Sequence, residues 1–406
     1  MKLWREAPHH MIVPRYFIPE DRRGTYEFPF VDLRPQDFPR VEIRHRVTPR
    51  DDSQAQAIDT LTQTQAGILN LACGKGKTTV ALAAIANNGV PAIVVVNNQG
   101  LMVQWETLIR KHWMYTGPVG IVQQNKFDWK HPITLAMIQT LASKSDEWPA
   151  DFRRHFGIAV FDEVHHLSAP TFVKTADMFF GKRWGLTATP KRADGLEVVY
   201  FYHLGRVVYS DLEQQLIPDI WFFHTKVKPA TPYEAKEIFC DRSGQENISL
   251  IRKWLGLHQA RNEIILEEIQ KASSIGRKIL AITHSRGHAE ILHQKLPGSG
   301  LCIGKMKAEK RLQMLQECDV TFATVQVAGE ALDAPRLDTL FVLTPGGDHN
   351  ATQQWLGRIQ RALPGKKKAL AVIFEDDIGF CRGLCGKMRK YLRDQGYPFQ
   401  KIGRQP

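Results

Sequence analysis

Apolar positions recur along the chain in two series, each a succession of short apolar runs and longer helix-period stretches. In the first series SQAQAIDTLTQ reads as a helix with Ser53 near its start. GILNLA follows as a short strand ending in a glycine-rich turn. TTVALAAIA has strong helix propensity and is closed by Asn87, Asn88 and Gly89. PAIVVVN is a buried-strand pattern, GLMVQWETLIRKHW is helical, and ITLAMIQ and FGIAVFDE are two further strands. The second series runs RKILAITHS (strand), GHAEILHQKL (helix), CDVTFATVQV and LDTLFVLTP (strands), QQWLGRIQRAL (helix) and KALAVIFEDD (strand). Strands alternating with helices predict mostly parallel sheets covered on both faces. The expected plan is therefore α/β, with two tandem lobes and a cleft between them.

The remaining segments set the expected boundaries. Residues 1–47 are rich in Pro, Arg and aromatics, as in MIVPRYFIP and YEFPFVDLRP. They read either as short strands of a small leading module or as an extended arm on the first core, since the prolines interrupt any helix. Residues 48–220 form the expected first lobe and 221–380 the second. The polar DRSGQENIS and the helical LHQARNEIILEEIQKA lie near the crossover. Residues 381–406 read as a basic, aromatic-bearing tail, either an added DNA-binding helix or a solvated amphipathic end.

Composition narrows the class. A chain of 406 residues with 43% hydrophobic and 24% charged residues is not a disordered, collagen-like or disulfide-stapled miniprotein. A net charge of +12 favours a polyanionic partner. Six scattered cysteines read as reduced thiols of a cytoplasmic protein. The start, MKLWREAPHHM, has no apolar h-region, and no apolar run approaches the ~20 residues of a membrane span.

The sharpest local chemistry follows the first strand, in Cys73-Gly74-Lys75-Gly76-Lys77-Thr78-Thr79. Gly74 and Gly76 let the backbone curl so that its N–H groups face phosphate, at the start of a helix whose field favours an anion. Lys77 would reach the β- and γ-phosphates of ATP, and Thr78 would ligate Mg2+. The strict GxxxxGK[ST] pattern fails at its first glycine, where Leu71 stands. A second acidic element, Asp162-Glu163-Val164-His165, ends the strand Gly157–Phe161. Asp162 would hold magnesium and Glu163 would polarise the attacking water. A zinc site is not supported. HExxH is absent, and Cys381 and Cys385 lack a second pair, so packing thiols are the better reading. No Ser/His/Asp triad is selected by pattern.

At this point the sequence resembles the superfamily 2 helicases and translocases. The match is to the DExH branch of phage recombination helicases, repair helicases and type III restriction motor subunits. The resemblance spans about residues 49–375 and implies two RecA-like lobes with ATP hydrolysed between them. LACGKGKT is its motif I, and Arg50 and Gln54 match the residues that approach adenine. IVVVNNQGLMVQW matches motif Ia, with Asn97-Asn98 where Pro-Thr is common, and implies a nucleic-acid contact at Gln99. MIQTL implies contacts at Gln139 and Thr140. DEVH, with His165, is motif II. Leu186-Thr187-Ala188-Thr189-Pro190 is motif III, which links the ATP state to the nucleic-acid track.

In the second lobe KILAITHSRGHAEIL resembles motif IV and implies contacts at His284 and Ser285. ATVQVAGEALDAP resembles motif V, with Thr324 on the track and Glu330 and Asp333 near the nucleotide. Its usual Glu-Gly-Leu-Asp reads Glu330-Ala331-Leu332-Asp333 here. Gln354-Trp355-Leu356-Gly357-Arg358-Ile359-Gln360-Arg361 fits QxxGRxxR of motif VI, which implies that Gln354, Arg358 and Arg361 complete the catalytic set, the arginines as fingers. Arg183, Lys191, Arg192, Lys305, Lys307, Lys310 and Arg311 form a cationic reserve, and Trp105 reads as helix packing rather than a base-stacking platform.

The leading expectation is an ATP-dependent DNA helicase or translocase acting on single-stranded, duplex or branched DNA, a monomer or transient oligomer with no membrane partner. An ATP-dependent RNA helicase and a non-catalytic nucleic-acid-binding component are the alternatives. Its expected location is the cytoplasm, that of an infected host if the chain is phage-encoded.

Overall fold

The computed structural model describes residues 5–7, 10–17, 37–72, 74–145, 147–188, 195–212, 217–241, 243–304, 306–329, 334–347, 349–361, 363 and 365–403. The chain divides into two units, Met1–Glu213 and Gln214–Pro406. The division falls a few residues before the expected boundary at 220/221. The strand that spans that position belongs wholly to the second sheet.

In the first unit a hairpin of β1 (Arg5–Ala7) and β2 (His10–Ile12) leads the chain. Then come α1 (Asp52–Gln63), β3 (Ala66–Leu71), α2 (Lys77–Asn88), β4 (Ala92–Val96), α3 (Gln99–His112), β5 (Gly120–Gln123), β6 (Lys126–Asp128) and β7 (Ile133–Met137). They are followed by α4 (Ile138–Ser143), α5 (Ala150–His155), β8 (Ile158–Phe161), β9 (Lys182–Thr187), α6 (Glu197–Leu204) and β10 (Val207–Asp211). The sheet order is β10-β3-β9-β8-β4-β7-β5-β6. Every neighbour is parallel except the edge hairpin β5/β6.

Local sequence accounts for most of these elements. β4 is Ala-Ile-Val-Val-Val, all buried, as an interior parallel strand covered on both faces requires. In α2 every residue from Val80 to Ala86 is buried. Its alanines let it lie close between the sheet and neighbouring helices where longer side chains would not fit. α1 begins where Asp51 accepts the Gln54 N–H. Of residues 1–47, Arg15 donates to the Gly181 and Phe179 carbonyls at 2.9 and 3.0 Å, and Arg46 N donates to His112 O at 2.7 Å. Arg15 and the stretch around Arg46 therefore lie against the first core, and β1/β2 supplies a pair of short strands ahead of them.

The second unit runs β11 (Asp219–His224), α7 (Pro232–Phe239), α8 (Ile248–Leu257), α9 (Gln259–Ser274), β12 (Ile279–Thr283), α10 (Arg286–Lys295), β13 (Gly300–Cys302) and α11 (Ala308–Glu317). It continues with β14 (Val320–Thr324), α12 (Val325–Gly329), β15 (Thr339–Val342), α13 (His349–Ile359), β16 (Leu370–Glu375), α14 (Gly379–Asp394) and β17 (Phe399–Gly403). Its order, β13-β14-β12-β15-β16-β11-β17, is parallel throughout. Both sheets thus realise the expected α/β plan, two RecA-like lobes in tandem.

The expected basic tail is instead built into this unit. Cys385, Met388, Tyr391 and Leu392 of α14 join the core beside Ile220, Leu340 and Ile373, and β17 pairs with β11. The apolar stripe of α14 anchors the helix against the sheet, where Arg389 also pairs with buried Glu375 at 2.7 Å, and Arg382, Lys387, Lys390 and Arg393 are exposed. Among the described residues no helix is long and apolar enough to cross a membrane.

Candidate functional site

Parallel strands deliver their following loops to one edge of a sheet, and in open α/β sheets that edge is where ligands bind. In the first unit the loop after β3 and the acidic pair after β8 both emerge there. β9 alone lies between their strands, so the two are about 10 Å apart across the sheet.

The loop after β3 has the conformation a phosphate cradle needs. Gly74 and Gly76 take φ of +85° and +78°, a region that side chains disfavour. A Cβ at Gly76 would stand 2.6 Å from Gln54 Nε2. Gly76 is the N-cap of α2 and brings no side chain, so the first-turn N–H groups of that helix are left for a ligand. Lys77 is the first helical residue, and its Nζ donates to the neutral Leu71 carbonyl at 3.1 Å. Thr78 and Thr79 follow half-buried in the same turn. Cys73 lies outside the described residues.

Two side chains brace this loop, Gln54 from the first turn of α1 and Arg50 from just before its cap. Gln54 Nε2 donates to Lys75 O at 3.3 Å, while its Oε1 accepts the Arg50 N–H at 2.9 Å. Arg50 Nη1 donates to Gly74 O at 3.2 Å. A third brace was not visible in the sequence. Lys75 Nζ pairs with Asp211 Oδ2 at 2.9 Å in nearly complete burial, and Asp211 also accepts the Ser53 hydroxyl. Asp211 ends β10, which pairs with β3. Nothing in the local sequence of a residue so far along the chain marks it as part of the loop.

The acidic pair sits at the end of β8. Asp162 is buried, with Oδ2 accepting Trp105 Nε1–H at 2.8 Å and Oδ1 accepting the Glu163 N–H at 2.9 Å. Burial, with the neighbouring Glu163 charge, pushes Asp162 up to about 6. Glu163 has φ of +46°, a strained conformation for a residue with a side chain. Its Oε2 lies 3.6 Å from His165 Nδ1, in the 3-10 turn Val164–Ser168.

The nucleotide-binding expectation is chemically compatible with this set. The left-handed glycines, the open helix start and Lys77 suit a polyphosphate, and Asp162 with Thr78 supplies the oxygen ligands a magnesium ion takes.

A polar cluster occupies the same edge beyond β8. Gln139 Nε2 donates to Asn97 O at 2.7 Å, and Gln99 bonds Gln123. Thr140 Oγ1 accepts the N–H of Gln124, whose φ is +51°. Asn98 caps α3 by accepting the Leu101 N–H at 2.9 Å. The structure thus brings Gln99, Gln139 and Thr140 together and adds Gln123 and Gln124, which no motif marked. Thr187 ends β9 fully buried.

In the second unit His284 and Ser285 follow β12, and Ser285 caps α10 by accepting the His288 N–H at 3.4 Å. His284 is held down at about 4 by burial and by Arg252, and its buried Nε2 has no hydrogen-bond partner among the described residues. Thr324 ends β14. On α13, Arg358 Nε donates to Ala328 O at 3.2 Å, Gln354 lies half-buried, and Arg361 follows the helix. Thr189, Glu330 and Asp333 lie outside the described residues, as do Lys191, Arg192 and Lys305.

Two expectations change, at Arg183 and Arg311. Arg183 is not surface charge. It is buried and donates to the Phe179 carbonyl at 2.8 and 3.0 Å and to His203 O at 3.2 Å. Arg311 is also buried, whereas Lys307 and Lys310 are exposed. Trp105 packs in the core as expected, but its indole N–H goes to the acidic pair. Cys381 and Cys385 are core thiols, and burial pushes Cys381 up to about 12 and Cys385 further up.

Known proteins resemble this arrangement. The family described as Type III restriction enzyme, res subunit, matches residues 47–192. A protein of Acanthamoeba polyphaga mimivirus, named as an ATP-dependent RNA helicase, is 24% identical over 98% of this chain and 77% of its own. One of Escherichia phage T5, named as a helicase, is 25% identical over 93% of this chain and 82% of its own. A DNA 3'-5' translocase of Sulfurisphaera tokodaii is 26% identical over 75% of this chain and 64% of its own. The Saccharomyces cerevisiae protein Dbp5, solved bound to RNA and ADP BeF3, superposes with a TM-score of 0.60 at 12% identity. That superposition covers 87% of this chain and 89% of that one.

Proposed function

Because the chain belongs to helicase superfamily 2, related to its restriction and repair branches, we propose that it is a nucleic-acid-stimulated ATPase. ATP and water become ADP and phosphate, and turnover is coupled to movement on or remodelling of a polynucleotide. The observation that carries this is the pairing of a left-handed glycine loop opening α2 at Lys77 with the buried Asp162–Glu163 pair on the same sheet edge.

We assign each residue a role from its motif and, for the described residues, from its place in the fold. Backbone N–H groups of the loop and the start of α2 bind phosphate oxygens, and Lys77 Nζ adds a positive charge. Arg50 and Gln54 hold the loop and take the adenine side. Thr78 and Asp162 hold magnesium, which when bound neutralises charge on the phosphates. Glu163 orients the attacking water and accepts its proton at the carboxylate. By motif, Gln354, Arg358 and Arg361 act on the same phosphoryl group, with Glu330 and Asp333 beside the nucleotide. Gln99, Gln139, Thr140, His165, Thr187, Thr189, His284, Ser285 and Thr324 grip the backbone or relay the nucleotide state.

RNA takes first place as the polymer. The mimivirus protein, similar over 98% of this chain, is named for RNA. DNA, expected from the motif forms, stands second, on the archaeal relative named as a DNA translocase. We assign its work to the cytoplasm, as a monomer or transient oligomer.

The test is steady-state ATP hydrolysis with magnesium, comparing no polymer, single-stranded DNA, duplex DNA, a forked junction and matched RNA. Strongest stimulation by RNA is expected, and stimulation chiefly by DNA reverses the order. Lys77→Ala should abolish hydrolysis with every polymer, and normal turnover in that variant would overturn the site assignment.

A further inference from the structure

A buried tryptophan needs a partner for its indole N–H, and a main-chain carbonyl is the ordinary one. Trp113, Trp148 and Trp184 conform, donating to Leu82 O at 3.2 Å, Leu141 O at 3.2 Å and Thr64 O at 3.0 Å. Trp105 is as deeply buried as any of these, yet its N–H goes to a carboxylate, Asp162 Oδ2, at 2.8 Å. A hydrogen bond to an ionised acceptor is short and strong. With the Glu163 N–H on Oδ1, each oxygen of Asp162 accepts from one donor among the described residues, so the carboxylate plane is held at both ends. Each oxygen keeps lone-pair capacity for a further ligand.

The other end of this contact lies in α3. Trp105 follows Gln99 by six residues, about 9 Å along the helix. The first turn of α3 is fastened to the polar cluster through Asn98, Asn97 and Gln99, which reach Leu101, Gln139 and Gln123. A rigid helix therefore has the proposed polynucleotide contacts at its start and the proposed metal-holding carboxylate against its second turn.

We infer that Trp105 is a positioning residue that fixes the Asp162 carboxylate and ties it to helix α3, so that polynucleotide engagement at the start of α3 is felt at the nucleotide site. This rests on the function proposed above. Displacement of α3 by a bound strand moves the indole N–H, and with it the plane in which Asp162 presents its remaining lone pairs. Coupling of this kind needs a physical link that both sites bias, and the packed helix with its Trp105–Asp162 hydrogen bond supplies one.

Trp105→Phe removes the N–H and retains most of the ring. Mn2+ affinity of the ADP-loaded full chain, read by electron paramagnetic resonance, should weaken by about 10-fold, as for other groups that orient a ligand. Stimulation of hydrolysis by polynucleotide should fall, with the KM for ATP nearly unchanged. In an Asp162→Asn background, Trp105→Phe should weaken Mn2+ no further. A purely structural role predicts that the two substitutions add. Unchanged Mn2+ affinity and stimulation in Trp105→Phe, or full additivity, would overturn the inference.

A second reading leaves Trp105 intact. In 15N-tryptophan-labelled protein, the indole resonance displaced by Asp162→Asn should also move when oligonucleotide is added. If it ignores oligonucleotide, the coupling is refuted even where Trp105→Phe does not fold. If no polymer stimulates the wild type, the functional reading fails, and the Mn2+ measurement still decides whether Trp105 positions Asp162.

Discussion

Gly76→Ala asks how much the phosphate loop depends on a backbone that side chains resist. Gly76 sits at φ +78° and ψ +37°, a left-handed conformation that costs an L-residue roughly 1–2 kcal/mol. The new methyl would also stand 2.6 Å from Gln54 Nε2, so that amide must move. Moving it gives up the 3.3 Å bond to Lys75 O. A buried hydrogen bond of this kind contributes about 1 kcal/mol. Together these give roughly 2–3 kcal/mol, or about a 30- to 150-fold change in an equilibrium constant. If the loop keeps its shape, the cost appears as lost stability. If the loop yields, it appears as lost nucleotide affinity. Calorimetric titration with ADP and thermal unfolding of the same sample measure both. In a Gln54→Ala background the clash is absent, and only the backbone part, roughly 1–2 kcal/mol, should remain. Wild-type affinity together with wild-type melting in Gly76→Ala would refute the loop assignment. An equal cost in both backgrounds would refute the role given to Gln54.

Other substitutions probe the remaining features. Glu163→Gln should retain nucleotide binding while turnover falls by about 10²–10⁴-fold, the range for loss of a general base, and turnover near wild type would remove Glu163 from that role. Asp376→Asn leaves Arg261 buried without its charge partner, where Arg261 Nε–Asp376 Oδ1 is 2.7 Å and both side chains are fully buried. Denaturant unfolding should show a loss of about 3–5 kcal/mol, and a loss under 1 kcal/mol would contradict this. His288 is held down at about 3 by burial and by Arg261, and bonds Thr283 Oγ1 and Asn262 Oδ1 at 3.0 and 2.9 Å. Its folded-state value lies below the unfolded 6.5, so stability present above pH 6.5 is lost as pH falls. By pH 4.5 the loss from this group is about 2–3 kcal/mol, and the pH dependence of His288→Asn should be shallower by that amount.

How the two units organise their sites follows from parallel-sheet geometry. Each carries proposed functional residues on loops or helix starts beyond the C-terminal ends of its strands, the glycine loop after β3 and His284 after β12 among them, while Gln354 and Arg358 lie within α13. A strand can hold such a loop closely because the strand itself is paired on both sides, as β3 is by β10 and β9. In the first unit the loops are braced by contacts from outside their own segments, Gln54 and Asp211 on the glycine loop and Trp105 on the acidic pair.

Local order along the chain makes much of this legible. Residues 92–96 are apolar, four of them β-branched, as a strand buried on both faces reads. The turn Gly74–Lys77 sits between an apolar run and an alanine-rich helix, so its place at a strand-to-helix junction needs only neighbours in sequence. The acidic pair ends a strand for the same reason. Residues 182–187 were harder. Lys-Arg-Trp-Gly-Leu-Thr has neither clean alternation nor a purely apolar run, yet it forms the interior strand β9, because its neighbours β3 and β8 supply the pairing. Arg183 and Arg311 looked like surface charge, and Arg183 is buried because main-chain carbonyls from elsewhere in the fold satisfy its guanidinium. The apolar stripe of α14 was visible as an amphipathic pattern, but whether it met a core or a partner depended on the sheet beside it. Sequence alone determined which segments become strands and helices and which chemical groups sit at their junctions, since those follow from side-chain period and turn chemistry. The order of the strands, the hold of Asp211 on Lys75 and the hydrogen bond from Trp105 to Asp162 were decided only in the tertiary structure. The two side-chain contacts join residues 136 and 57 positions apart, and local propensity carries no information about which distant strand or helix will become a neighbour.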